Sequence, residues 1–122
     1  MAAADETFVI AQLSDLHCGG PYFVPNLLER AISEINELQP DVVICSGDLT
    51  TFGFKEEYAE AKRYLDRLEC EAIVVIPGNH DSRNVGYVHF EELFGERRRE
   101  LHSDGVSVVA VSLKKKTCAL PI

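Results

Sequence analysis

Apolar and polar positions alternate along the chain in two rhythms, one of a buried strand and one of an amphipathic helix. Residues 6–13, ETFVIAQL, form a β-branched apolar run that stops abruptly at SDLHCGG, a polar and glycine-rich turn, and so predict a strand. From Pro25 to Leu38, the positions Leu27, Leu28, Ala31, Ile32, Ile35 and Leu38 recur at helical spacing. Pro25 suits a first helical turn, and Pro40 stops the segment. The same grammar then returns. DVVICSGDLT is an apolar run closed by Gly47 and Asp48, and residues 55–69 set Tyr58, Ala61, Leu65 and Leu68 on one helical face. AIVVI at 72–76 ends at PGNHD, a short helix is expected around Val88 to Phe94, and VSVVAVSL at 106–113 predicts a fourth strand.

Strands alternating with helices, and nearly continuous apolar runs in the second and third strands, imply an α/β fold with a mostly parallel sheet and right-handed crossovers. At 122 residues and 46% hydrophobic, the chain holds one modest core. A formal charge of -8 disfavours general binding to nucleic acid or anionic lipid. No apolar run is long enough to span a membrane, and no basic stretch followed by an apolar segment opens the chain, so a cytoplasmic protein is expected. Four cysteines without a CxxC pair are expected to be reduced. Cys45 lies in an apolar run and reads as core, whereas Cys18 adjoins His17 and is a candidate to line whatever pocket His17 faces.

The polar interruptions carry the chemistry. Asp15 and His17 follow the first strand, Asp48 the second, and Asn79, His80 and Asp81 the third, with intervals of 33 residues from Asp15 to Asp48 and 31 from Asp48 to Asn79. Each interval is one βα unit, so these side chains are expected at the carboxyl ends of successive parallel strands, where open α/β sheets hold ligands. Carboxylates, an imidazole and an amide oxygen gathered there call for a bridging cation. Mixed oxygen and nitrogen donors without thiolates favour Mn, Fe, Zn or Co. Asp48 is the natural bridge between two divalent ions at a separation of about 3.5–4 Å, between which a water loses a proton near neutral pH and attacks phosphorus in line. Such ions would also draw an anionic substrate to an acidic protein.

SDLH, GDLT and GNHD, in this order and at strand ends, resemble the first three signatures of the calcineurin-like metallophosphoesterase superfamily. The resemblance implies that Asp15 and His17 bind one metal, Asp48 bridges, and Asn79 binds the second. It further implies that His80 touches the substrate phosphate or leaving group and that Asp81 orients His80. The stretch TTFGFKEEYAEAKRYLDRL and Arg83 soon after GNHD are similar to the branch containing class III cyclic-nucleotide phosphodiesterases. The expected activity is hydrolysis of phosphodiester or phosphomonoester bonds in a small anionic substrate. A DNA-processing nuclease of the same superfamily, and a non-catalytic metal-binding or interaction fragment, are the alternatives.

The family also uses a later lone histidine and a Gly-His-x-His signature, which this chain lacks, so the chain alone is expected to be inactive. His89 and His102 read as exposed loop or helix residues, Arg97, Arg98 and Arg99 as a solvated charged run, and Tyr58 and Tyr64 as packing. Residues 1–113 correspond to the first half of a four-layer αββα sandwich. Residues 114–122 read as a non-native tail, because Thr117–Ile122 is also what ACG TGT GCT CTT CCG ATC encodes, a string resembling a sequencing-adapter end; Cys118 would then have no role. Half a sandwich is expected to leave an apolar sheet face bare and to aggregate or bind another chain.

Overall fold

A computed structural model describes residues 7–103 and 105–112; the expected tail at 114–122 lies outside them. Three short strands, β1 (Ile10–Leu13), β2 (Val42–Cys45) and β3 (Ile73–Val75), form a parallel sheet in the order β1-β2-β3. The register sets Leu13 beside Cys45 and Cys45 beside Val75, so the three strands end level with one another. Because the strands advance in one direction, right-handed crossovers put helices α1 (Pro25–Leu38) and α2 (Lys55–Leu65) on the same face.

That face is the main core. Alternate strand residues Ala11, Leu13, Val43, Cys45 and Val75 meet Leu28 and Ile32 of α1 and Tyr58, Ala61 and Leu65 of α2. Tyr58 and Ala61 are fully buried; each large apolar side chain so placed contributes roughly 1.5–3 kcal/mol. Leu27 and Leu38, at the margins of the α1 stripe, remain exposed. The second helix stops at Leu65 rather than 69, yet Leu68 still packs into the core from the following turn. Helix α1 ends with Gln39 in a left-handed conformation (φ 55°), its N–H returning to the Ile35 carbonyl.

After β3 the chain makes 3-10 turns over His80–Val85 and then forms α3 (Gly86–Phe94), whose Phe90 is fully buried against α2. His89 rides on this helix half-buried, its ring 6.3 Å from that of Tyr58, so it is not the exposed residue expected. No helix among the described residues is long and apolar enough to cross a membrane.

The fourth predicted strand exists but does not extend the parallel sheet. β4 (Arg98–Ser103) and β5 (Val106–Val111) pair antiparallel as a separate hairpin. Arg98 and Arg99 thus belong to a strand, with Arg98 paired to Glu100 and Arg97, just before it, to Glu91. His102 is on this strand too, exposed and hydrogen-bonded to Ser107. The hairpin lays Leu101, Val108 and Ala110 on Val42, Ile44 and Val74, the sheet face that the helices do not reach. The expected bare face is therefore covered over β2 and β3, and among the described residues β1 keeps an exposed apolar side chain on it, Ile10 at 49%.

Candidate metal centre

The loops after β1 and β2 continue side by side beyond the sheet. Asp15 N–H donates to the Gly47 carbonyl (3.0 Å), His17 N–H to that of Asp48 (2.9 Å) and Cys18 N–H to that of Leu49 (2.9 Å). This ladder holds Asp15, His17 and Asp48 in left-handed backbone conformations, with φ of 59°, 53° and 53°. Non-glycine residues seldom adopt that region, and they do so where surrounding bonds over-determine the backbone, often at functional sites.

The three side chains meet. His17 Nε2 lies 3.5 Å from Asp15 Oδ1 and 3.8 Å from Asp48 Oδ2, and one ligand atom from each residue falls within 4.8 Å of the others. A proton on His17 would offset only one of the two carboxylates. The donor set, one imidazole nitrogen and carboxylate oxygens with no thiolate, fits a divalent cation.

The turn after β3 closes on this pair of loops. Gly78 allows it, since a Cβ there would lie 2.5 Å from Asp48 Oδ1 and 2.6 Å from Asp48 N. Asp48 Oδ1 accepts the backbone N–H of His80 at 2.9 Å, so the carboxylate is held from the β3 side while its other oxygen faces His17. Asn79, between Gly78 and His80, is exposed at the same rim. The His80 ring stands edge-on to that of His17, 4.8 Å between centroids.

Asp81 is not where a partner for the His80 ring would be. Its carboxylate is fully buried and accepts four hydrogen bonds, from Leu49 N–H (3.0 Å), Thr50 N–H (2.8 Å), Thr50 Oγ1 (2.8 Å) and Gly78 N–H (2.9 Å). Burial pushes this carboxyl above its ordinary range, while those donors pull it back. The Asp81 carbonyl in turn accepts the Tyr58 hydroxyl at 2.7 Å, a role beyond the packing expected of Tyr58. His80 instead uses Nδ1 to donate to the Thr51 carbonyl, 2.9 Å away. A carbonyl only accepts, so the proton sits on Nδ1 and Nε2 is the position left for exchange. Asp81 thus anchors the loop that carries Thr51, the partner of the His80 ring. A backbone carbonyl has no residue signature, and nothing in the motif strings pointed to Thr51.

Cys18 also departs from expectation. Its side chain is fully buried in the core and does not line the pocket that His17 faces. Burial pushes the Cys18 and Cys45 thiols up from 9.0 to about 12. Their thiolate fractions at pH 8 are on the order of 10⁻⁴, so iodoacetamide is expected to label half-buried Cys70 and to leave Cys18 and Cys45 unmodified until the protein unfolds, as read by peptide mass spectrometry. The stability these two raised thiols confer is complete below the unfolded value of 9.0 and is lost as pH rises towards about 12.

Fold and site together define an α/β protein with a cluster of mixed oxygen and nitrogen donors, able to hold a metal ion, at the carboxyl ends of parallel strands. The chain belongs to the calcineurin-like phosphoesterase family, whose sequence pattern matches residues 8–116. It is 34% identical over 93 residues to a probable glycerophosphodiester phosphodiesterase of Arcobacter nitrofigilis, covering 69% of this chain and 34% of that protein. It is 29% identical over 82 residues to a probable cyclic nucleotide phosphodiesterase of Vesicomyosocius okutanii, covering 63% and 35%. A second probable cyclic nucleotide phosphodiesterase, from a Pseudoalteromonas species, is 29% identical over 137 residues, covering 98% and 51%. The chain therefore spans about a third to a half of the length of these relatives.

Proposed function

We propose that this chain supplies the first metal ligands and the phosphate-facing histidine of a hydrolase acting on small phosphodiesters. The observation that carries the reading is the convergence of Asp15, His17 and Asp48 within 4.8 Å at the ends of adjacent parallel strands. Asp15 and His17 would hold one divalent ion and Asn79 a second, with Asp48 placed to serve both. Bound there, such ions supply positive charge against the phosphoryl oxygens and acidify water for attack on phosphorus.

The chain's own residues do the rest. Asp48 is steadied by the His80 amide, which couples the bridging carboxylate to the residue expected to face substrate. His80, with Nδ1 committed to Thr51, has Nε2 to hydrogen-bond a phosphoryl oxygen, and when protonated there it donates that proton to the departing oxygen. The names of the relatives support diesters as substrates.

Because the chain matches only part of those proteins and lacks the Gly-His-x-His signature, turnover by the 122 residues alone is expected to be slight. The test is a Mn²⁺ titration by calorimetry together with cleavage of bis(p-nitrophenyl) phosphate, by this chain and by a version extended to the length of its relatives. Saturable Mn²⁺ uptake by both and metal-dependent cleavage by the longer one are expected. A longer version that takes up Mn²⁺ and cleaves no phosphoester would overturn the hydrolase reading.

A further inference from the structure

The loop after β2 and the turn after β3 are fastened together residue by residue. Thr50 meets the Asp81 carboxylate, the Thr51 carbonyl accepts from His80, the Phe52 carbonyl accepts Asn84 Nδ2 at 3.0 Å, and Gly53 packs directly on the Arg83 carbonyl. Within this seam Arg83 has no carboxylate partner. Arg30, Arg67, Arg97 and Arg98 each pair with a glutamate at 2.6–3.5 Å. Arg83, like Arg99 whose Nη1 rests on the Phe94 carbonyl, has a backbone carbonyl as its partner and no ion pair among the described residues; what distinguishes it is its place at the site. Its Nη1 rests 3.3 Å from the Thr51 carbonyl, the same oxygen that accepts His80 Nδ1.

The backbone places Arg83 there with strain. Helical geometry breaks at Arg83 (φ -69°, ψ 147°), and Asn84 and Val85 follow with φ of 52° and 55°. A β-branched residue in the left-handed region is a genuine outlier, and it persists here because Gly53 and Gly86 let the turn press onto the neighbouring carbonyls of Arg83 and Asp81.

We infer that Arg83 is a substrate-binding residue that contacts a phosphoryl oxygen beside His80, an assignment that rests on the phosphodiesterase reading of the centre. The guanidinium is exposed, spends one of its five N–H groups on a neutral acceptor, and converges with the His80 imidazole on a single oxygen. Once cations offset Asp15 and Asp48, it is an uncommitted positive charge at the rim of the centre. Its planar fork suits the oxygens of a phosphate.

The probe is inorganic phosphate titrated calorimetrically into the Mn²⁺-loaded chain, as wild type, Arg83→Gln and Arg83→Lys. Glutamine can still donate to the Thr51 carbonyl but carries no charge, which separates phosphate binding from a merely structural tie. Expected are equal Mn²⁺ uptake in all three, phosphate affinity lowered about tenfold or more in Arg83→Gln, and a smaller loss in Arg83→Lys. Wild-type phosphate affinity in Arg83→Gln with normal Mn²⁺ uptake overturns the inference alone. Absence of Mn²⁺ uptake by the wild-type chain overturns the metal centre and this inference with it.

Discussion

Asp48→Asn is expected to lower the affinity of the chain for Mn²⁺ by at least about 100-fold, because loss of even an outer partner of a metal ligand costs about 10- to 100-fold. Asp48 is the carboxylate on which the three loops converge: its backbone carbonyl holds His17, one side-chain oxygen accepts the His80 amide, and the other faces His17 Nε2. Asparagine retains an oxygen for the His80 amide and removes the charge, so the fold is kept while the attraction for a cation is lost. Calorimetric titration with Mn²⁺ reads the effect, and circular dichroism checks that the protein remains folded. Uptake equal to that of the wild type would remove Asp48 from the centre and leave its placement a matter of loop architecture.

Asp81→Ala is expected to destabilise the protein by about 3 kcal/mol or more, since each buried donor left without an acceptor costs about 1–3 kcal/mol. Four donors lose their acceptor at once, those of Leu49, Thr50 twice and Gly78, in a place closed to water. Asp81→Asn should be milder but still harmful, because every contact of the carboxylate is with a donor and one end of the amide is itself a donor. Urea unfolding measures both. Metal affinity should fall alongside stability, as the loops bearing Asp48 and His80 are joined through Asp81. Stability of Asp81→Ala within about 0.5 kcal/mol of the wild type, the range of an ordinary surface substitution, would show that the buried array contributes little.

Much of the architecture is visible in periodicity. Alternating strand and helix patterns identify β1, α1, β2, α2 and β3, because each element buries one stripe and its spacing is imprinted on the sequence. The register of a parallel sheet then brings Asp15, His17 and Asp48 to one rim with no further information. β4 is less visible. Its residues RRELHS are mostly polar, since one face of the hairpin is open to solvent, although the Asp-Gly pair that follows is a hairpin signal. Asn84 tolerates the left-handed region, but no local preference puts the β-branched Val85 there, and the neighbouring loops impose it.

By itself the sequence determined the α/β class, the mostly parallel sheet and the placing of Asp15, His17 and Asp48 at the ends of successive strands, since these follow from repeated local patterns read at a spacing of one βα unit. Tertiary structure alone decided that the hairpin covers the second sheet face, that Asp81 holds loops together instead of touching the His80 ring, and that Cys18 is buried. Those outcomes depend on which backbone groups and side chains from distant segments come within reach of one another. A linear pattern can specify that a side chain is polar or apolar, but its partner is chosen by the packing of loops 29 to 35 residues apart.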